Sequence, residues 1–436
     1  MKTSGITMAL IAILFVLVGW SFYFSSTRTP SIQETGIETV NKPLGIERVK
    51  NAQERDRMEA YVKKLQAEKK VVKSFQGPSG ETIDCVDIYS QPALKRAGME
   101  KHVLQLSPAN FPIQPREAYE GSQVEEKIQM PNQLYMLTGE TCPEKTAPMM
   151  RLTMETLKRF KTLDDFFKKQ FVDIEKPFGG GGSSSGTHEY AHAARSVNNW
   201  GAESIFNVWS PFVDETDEFS LSQIWVVRGS GSNRETVETG WQKYYDLYGD
   251  WRSRLFIYFT PDNYGSGGCY NLSCGAFVQV DNSVYIGGAF DQYSSAGGDQ
   301  REFKLMLLKD HTNGHWWLKY GDTWVGYWPR DLFDSNGLRD QGERIDFGGE
   351  IVNTSPGGAH THTDMGSGYW PYQGYGYAAY QRALRYIDTS YTYQKATGLS
   401  ASRTDRECYD IELHSSSGSW GEYFYFGGSG HNANCP

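Results

Sequence analysis

Cysteine is scarce in this chain and none of it is clustered. The six, Cys85, Cys142, Cys269, Cys274, Cys408 and Cys435, are spread over 436 residues, and they do not form the grouped Cys or Cys/His pairs that a structural zinc site requires. Positive charge is also short, with 43 Lys and Arg against 52 Asp and Glu for a net charge of -9. With no basic face, nucleic acid and an anionic membrane surface are excluded as main partners, because both select for clustered Lys and Arg. Tryptophan is nearly absent from the first 186 residues, which hold Trp20 alone of the twelve. The aromatic material for a large core therefore belongs to the rest of the chain.

An apolar run from Ile6 to Phe24 comes after Met1-Lys2. It reads as a secretory signal or, since Trp20-Ser21-Phe22-Tyr23-Phe24 offers no small-x-small cleavage site, as an uncleaved anchor. Either one exports the remainder of the chain, so a secreted protein is expected, held to a membrane only if that segment stays. Export makes the cysteines disulfide partners. Their order suggests nearest-neighbour pairs, Cys85–Cys142, Cys269–Cys274 and Cys408–Cys435, although spacing alone leaves other connectivities open.

Composition divides the chain further. After the apolar segment, 1–24, residues 25–70 read as a polar stem leading into an amphipathic helix, whose apolar stripe (Met58, Tyr61, Val62, Leu65) lies within a helical pattern from Ile46 to Phe75. Residues 71–178 form a small α+β domain with a strand pattern at Thr82–Tyr89 and a Lys-rich helix near Met154 to Lys169. The Gly/Ser tract 179–186 is a flexible linker by composition. From 187 to 436, short alternating segments such as Arg254-Leu255-Phe256-Ile257-Tyr258-Phe259 recur between glycine and Asn or Asp turns, which predicts an all-β antiparallel sandwich of two sheets. A linker between two exported domains is where proteases cut, so the layout is that of a zymogen.

Within the second domain two glutamates stand out, Glu238 in Val237-Glu238-Thr239-Gly240-Trp241 and Glu350 in Gly348-Gly349-Glu350-Ile351. Strand side chains alternate, so Glu238 shares a face with Gly240 and Glu350 with Gly348. Glycine inside a strand marks a place where something approaches closely, a substrate chain among the options. Two convergent carboxylates would share a proton, one activating water and the other protonating the leaving nitrogen. Glu238 is assigned as base and Glu350 as acid, with no metal and no cofactor. Trp241 and Tyr270 are the candidates for an apolar substrate wall.

A competing pattern is His188-Glu189-Tyr190-Ala191-His192, which matches H-E-x-x-H. On a helix it would aim two imidazoles at zinc with the glutamate as base. The metzincin extension is missing, and the segment is read as an opening strand or turn whose side chains are surface or packing residues. His360-Thr361-His362-Thr363-Asp364 is read as a polar loop.

These blocks resemble the neprosin family of glutamic peptidases. The likeness runs from about Val72 to the C-terminus. In the first domain it rests on Val72-Lys73-Ser74-Phe75 and Ile83-Asp84-Cys85-Val86-Asp87-Ile88-Tyr89. In the second it rests on Phe206-Asn207-Val208-Trp209, Ser220-Leu221-Ser222-Gln223-Ile224-Trp225, Glu238-Thr239-Gly240-Trp241-Gln242, Val325-Gly326-Tyr327-Trp328-Pro329, Phe347-Gly348-Gly349-Glu350 and Tyr425-Phe426-Gly427-Gly428. The resemblance implies a secreted endopeptidase that cleaves proline-containing substrates after proline. It also implies an activation domain that blocks the cleft until acid removes it, catalytic residues at Glu238 and Glu350, and the three disulfides. The rival from another class is an exported sandwich that binds carbohydrate or cell wall without catalysis, which has little use for a cleavable first domain.

Overall fold

The structure, a computed structural model, describes residues 45–114, 129–169, 187–265, 267–355 and 359–436. The apolar run Ile6–Phe24, the stem before residue 45 and the Gly/Ser tract lie outside the described residues. The described residues cluster as one compact unit.

The first region runs α1 (Ala52–Ala67), β1 (Val71–Gln76), β2 (Thr82–Asp87), β3 (Thr146–Met150), α2 (Met154–Leu157) and α3 (Leu163–Phe167). Helix α1 starts where the Asn51 side chain accepts a hydrogen bond from the Glu54 N–H at 2.9 Å. It buries Met58 and Leu65, and stops short of the expected Phe75. The β-branched pair Val71-Val72 opens a strand instead, paired antiparallel with β2. The expected Lys-rich helix is two short ones. Thr162 and Asp165 form a capping box that restarts the helix at Leu163, while Phe160 turns into the apolar cluster beneath. Strands β1, β2 and β3 make a three-stranded sheet, tied down by the disulfide Cys85–Cys142.

The second region supplies β4 (Thr187–Asn199), β5 (Gly201–Asn207), β6 (Phe219–Arg228), β7 (Glu235–Tyr244), the one-turn α4 (Tyr245–Tyr248), β8 (Ser253–Thr260), β9 (Cys269–Tyr270), β10 (Val278–Gln279), β11 (Glu302–Lys309), β12 (Trp316–Tyr320), β13 (Thr323–Trp328), β14 (Gly342–Asn353), β15 (Ala379–Ile387), β16 (Tyr393–Lys395), β17 (Ser400–Arg403), β18 (Asp410–Ser415) and β19 (Glu422–Gly427). They form two antiparallel sheets. One has seven strands in the order β17-β4-β14-β6-β7-β8-β9. The other has nine, β10-β13-β12-β11-β5-β15-β19-β18 with β16 beside β15. The inner faces meet in one core in which Ile224, Val237, Ile257 and Phe347 pack with Phe206, Phe303, Leu305 and Leu318. The sandwich expected from alternation is thus present, with Cys269–Cys274 and Cys408–Cys435 closing two of its loops.

The outer face of the seven-stranded sheet is not left to water. Phe219, Leu221, Phe256, Tyr270 and Val352 form a second apolar cluster with Met58, Leu65, Leu157, Phe160 and Phe166 of the first region. Polar contacts lock the same seam. Arg48 pairs with Asp246 and donates to the Thr216 hydroxyl at 2.8 Å, and the Tyr61 hydroxyl donates to the Ser273 carbonyl at 2.5 Å.

Candidate active site

Residues directly opposite each other in an antiparallel ladder point to the same face. Glu238 on β7 lies opposite Trp225 on β6, and Glu350 on β14 lies opposite Leu221 on β6. Gln223, midway between those two on β6, lies opposite Gly240 on one side and Gly348 on the other. Period-two alternation therefore brings Glu238, Gln223 and Glu350 side by side on the outer face.

Beyond α3 the backbone turns extended at Lys168, and Lys169 reaches into this face. Its backbone N–H donates to the Tyr258 hydroxyl at 3.1 Å. Its ammonium donates to Oε2 of Glu238 at 2.6 Å and to Oε1 of Gln223 at 3.0 Å, and sits 2.8 Å from Oε2 of Glu350. The two carboxylate oxygens can be no farther apart than the sum of their distances to that one nitrogen. Glu238 and Glu350 are 0% and 1% exposed and Lys169 is 2% exposed. Charges this deep survive only when paired. Burial opposes the charge on Lys169, but the two glutamates outweigh it and raise its pKa. Burial likewise pushes Glu350 up, and Lys169 with His188 more than reverses this, holding it below the ordinary carboxylate value.

The two carboxylates differ in their other partners. Glu350 accepts from the Gln223 carboxamide at 2.7 Å on Oε2 and meets His188 Nδ1 at 2.6 Å on Oε1. Glu238 accepts two neutral hydroxyls on Oε1, from Thr236 and Tyr264, each at 2.7 Å. Trp225 lies under the Lys169 ammonium, 5.5 Å from ring centre to nitrogen. Tyr190 and Tyr264 close the site, and burial together with the nearby glutamates raises both phenols well above their ordinary pKa.

Tyr270 lies on this same face, its ring packed edge-on against Tyr258 at 4.7 Å. Trp241 does not. It points into the inner core, 0% exposed, and its indole N–H donates to the Asn207 carbonyl at 2.9 Å. It is one odd step from Glu238, so the alternation that brings Gly240 to the site carries Trp241 away. Trp225 takes the place expected of it. Gly240 and Gly348 are on the site face, but the close approach is made by the sheet itself. A Cβ on Gly240 would stand 1.8 Å from the Ser222 carbonyl oxygen, and one on Gly348 would stand 2.5 Å from that of Ala191.

The H-E-x-x-H segment is the start of strand β4, not a helix. Its histidines are about 13 Å apart along the strand, and each serves a different carboxylate, His188 with Glu350 and His192 with Asp346 at 2.8 Å. They cannot chelate one ion as on a helix. Neither are they surface or packing residues. The second histidine cluster is a loop in which His360 Nε2 meets Glu189 at 2.8 Å and Thr361 donates to Glu218 at 2.6 Å. Glu302 is 7% exposed and held by Arg382 at 2.6 and 2.7 Å, far from the pair in sequence and on the other sheet.

Lys169, His188, Gln223, Trp225 and Tyr264 are the site residues that sequence reasoning did not select. All but Trp225 make direct contact with a glutamate of the pair, and Gln223 and Trp225 fall on its face by the same alternation used for the glutamates.

Likeness to solved structures is slight. Crystal structures of scytalido-glutamic peptidase with transition state analogs match at 11% and 10% identity, each covering 56% of this chain and 98% of that one with a TM-score of 0.29. SCP-B, a member of the eqolisin family of peptidases, matches at 8%, covering 55% and 97%, with a TM-score of 0.28. Likeness of this order carries no weight for the chemistry. The sequence patterns of two families are decisive: Neprosin matches residues 216–429 and the Neprosin activation peptide matches residues 74–194. The chain, a peptidase with its activation peptide attached, belongs to the neprosin family.

Proposed function

We propose that the protein is an exported zymogen of an acid-active endopeptidase that cuts after proline, using Glu238 and Glu350 without a metal. The observation that carries this reading is the Lys169 ammonium seated between the two buried carboxylates. It stands where a water and a scissile carbonyl would have to sit, so the activation region is its own inhibitor. Once Lys169 leaves, two adjacent carboxylates in a dry site hold one proton between them. Glu350 keeps the Gln223 and His188 contacts while Glu238 keeps only neutral hydroxyls. Glu350 is therefore assigned as the base that takes a proton from water. Glu238 is assigned as the acid that bonds the carbonyl oxygen and then protonates the leaving nitrogen, the reverse of the order expected from sequence. Trp225, Tyr258 and Tyr270 give a rigid aromatic wall suited to a proline ring.

Acid is the release signal. Glu350 has a depressed pKa in the zymogen, so the stability it contributes to docking is complete above the 4.5 of a free glutamate and is lost as the pH falls through the depressed value. Lys169 has a raised pKa, so its contribution is complete below the ordinary lysine value and fails only in strong alkali. In acid Glu350 lets go first.

The test is digestion of a proline-containing peptide library by the acid-treated protein across pH, with and without chelator, beside Glu238→Gln and Glu350→Gln. Chelator-resistant cleavage after proline, reduced about a thousandfold in both variants, is the expected result. Cleavage that survives either substitution refutes the paired-glutamate mechanism, cleavage at other residues refutes the specificity, and no cleavage at all favours the binding module.

A further inference from the structure

We propose that His188 is a positioning residue for this chemistry: its Nδ1–H clamps Oε1 of Glu350, which keeps that carboxylate ionised and leaves Oε2 as the atom that meets the water. The inference rests on the paired-glutamate reading and assigns a role to a residue within a motif whose metal chemistry the strand forbids.

The geometry fixes where the proton is. Nδ1 lies 2.6 Å from Oε1, a separation that requires a hydrogen between the two atoms. Nε2 is buried and has no hydrogen-bond partner among the described residues, so a proton there would be a buried donor with nothing to receive it. The tautomer with Nδ1–H satisfies both observations. The ring cannot swing away. It is 1% exposed, with Phe219 edge-on at 5.7 Å and Tyr190 stacked at 6.3 Å.

The clamp also explains the asymmetry of the pair. Both oxygens of Glu350 have N–H donors besides Lys169, Oε1 from His188 and Oε2 from Gln223, whereas Oε2 of Glu238 has Lys169 as its donor among the described residues. The groups that face Glu350 are His188 and Tyr190 from β4, Glu238 from β7, Tyr258 from β8, Tyr264 and Tyr270 around β9, and Lys169 from the activation region. With Lys169 removed, His188 still supplies the N–H that meets Oε1 of Glu350. His192 supplies an internal control. It makes the same Nδ1 contact to a carboxylate of β14, but to Asp346, which Arg344 also holds at 2.6 Å, and it touches neither glutamate of the pair.

The experiment measures kcat and KM against pH for the acid-matured enzyme on a proline-containing peptide, for wild type, His188→Leu, His188→Asn and His192→Asn. Loss of the donor raises the pKa of the base, so in His188→Leu the acid limb of kcat moves up by about one pH unit and kcat on that limb falls about tenfold, with KM unchanged. Asparagine places an amide N–H where Nδ1 was, so His188→Asn returns the limb toward wild type, and His192→Asn superposes on it. A uniform fall in kcat at every pH in His188→Leu, with the limb unmoved, overturns the clamp and leaves the dyad standing. A wild type that cleaves no peptide overturns both. If the His188 variants do not fold, ¹⁵N-histidine NMR of the protein with Glu350→Gln decides: the His188 Nδ1 resonance moves while that of His192 stays, and an unmoved His188 refutes the contact.

Discussion

The two faces of the seven-stranded sheet are both sealed, but only one seal is closed by an ion cluster that joins the two regions. On the inner face Ile224, Val237, Ile257 and Phe347 meet apolar residues of the nine-stranded sheet. On the outer face Leu221, Phe256 and Val352 meet Leu157, Phe160 and Phe166 in the same manner, and then Lys169 carries a charge to Glu238 and Glu350. A buried carboxylate does not by itself imply a removable partner. Glu302, also buried, is held by Arg382 from its own sandwich. The difference is the origin of the counter-charge. Arg382 lies on β15 of the sandwich itself, whereas Lys169 belongs to the activation region, and on the proposed activation its removal would leave the two carboxylates without their shared counter-charge.

The sharpest break of this comparison is Lys169→Met in the full-length protein. Removing one partner of a buried ion cluster costs about 3–5 kcal/mol, here charged against docking of the activation region. Conversion to the mature enzyme, followed by gel densitometry across pH, is expected to begin at higher pH and to run at least about a hundredfold faster near neutrality, since each 1.4 kcal/mol is about tenfold. An unchanged profile would mean that the apolar seal alone keeps the zymogen closed. Phe166→Ala tests that seal. Truncating a buried phenylalanine costs about 3–5 kcal/mol at most sites and less where the seam can collapse. Because Phe166 does not titrate, conversion should quicken at every pH without moving its midpoint. A shifted midpoint would show that seal and ion bridge are not separable.

How much of this was legible in the sequence differs between the fold and the site. The sandwich followed from alternation and turn residues, and the same period of two placed Glu238 and Glu350 on faces bearing Gly240 and Gly348. Applied one residue further, it excludes Trp241, and applied to Ser220-Leu221-Ser222-Gln223-Ile224-Trp225 it offers Gln223 and Trp225, provided β6 is known to lie between β7 and β14. That order is a long-range property: β14 follows β7 by about a hundred residues of chain, and no local pattern reports which strand becomes its neighbour. His188 was hidden for a related reason. Its pattern was weighed as a helix motif, and its partner on β14 becomes visible only when β4 is paired with that strand. Lys169 had no signal beyond lying at the end of a Lys-rich segment. The helix ends at Ala67 and between α2 and α3 were misjudged because β pairing of Val71-Val72 and the Thr162 cap outweigh weak helical periodicity.

The mildest test compares two tryptophans on adjacent strands, Trp241 of β7 and Trp225 of β6, which lie on opposite faces of the sheet. Trp241→Phe removes the bond to the Asn207 carbonyl, worth about 1 kcal/mol net, and leaves a small void. The expected outcome for the mature enzyme is a melting midpoint lower by about 2–4 °C, with kcat and KM unchanged, because the inner face never meets substrate. Trp225→Phe should do the opposite. It lies opposite Glu238 on the site face, so KM should rise by a few-fold with little loss of stability, the order expected when a smaller ring gives up part of an apolar contact worth about 1–3 kcal/mol in discrimination. If Trp241→Phe changed KM more than Trp225→Phe, the assignment of one face to folding and the other to catalysis would fail at its simplest point, since the two substitutions are chemically identical and differ only in which side of the sheet they lie on.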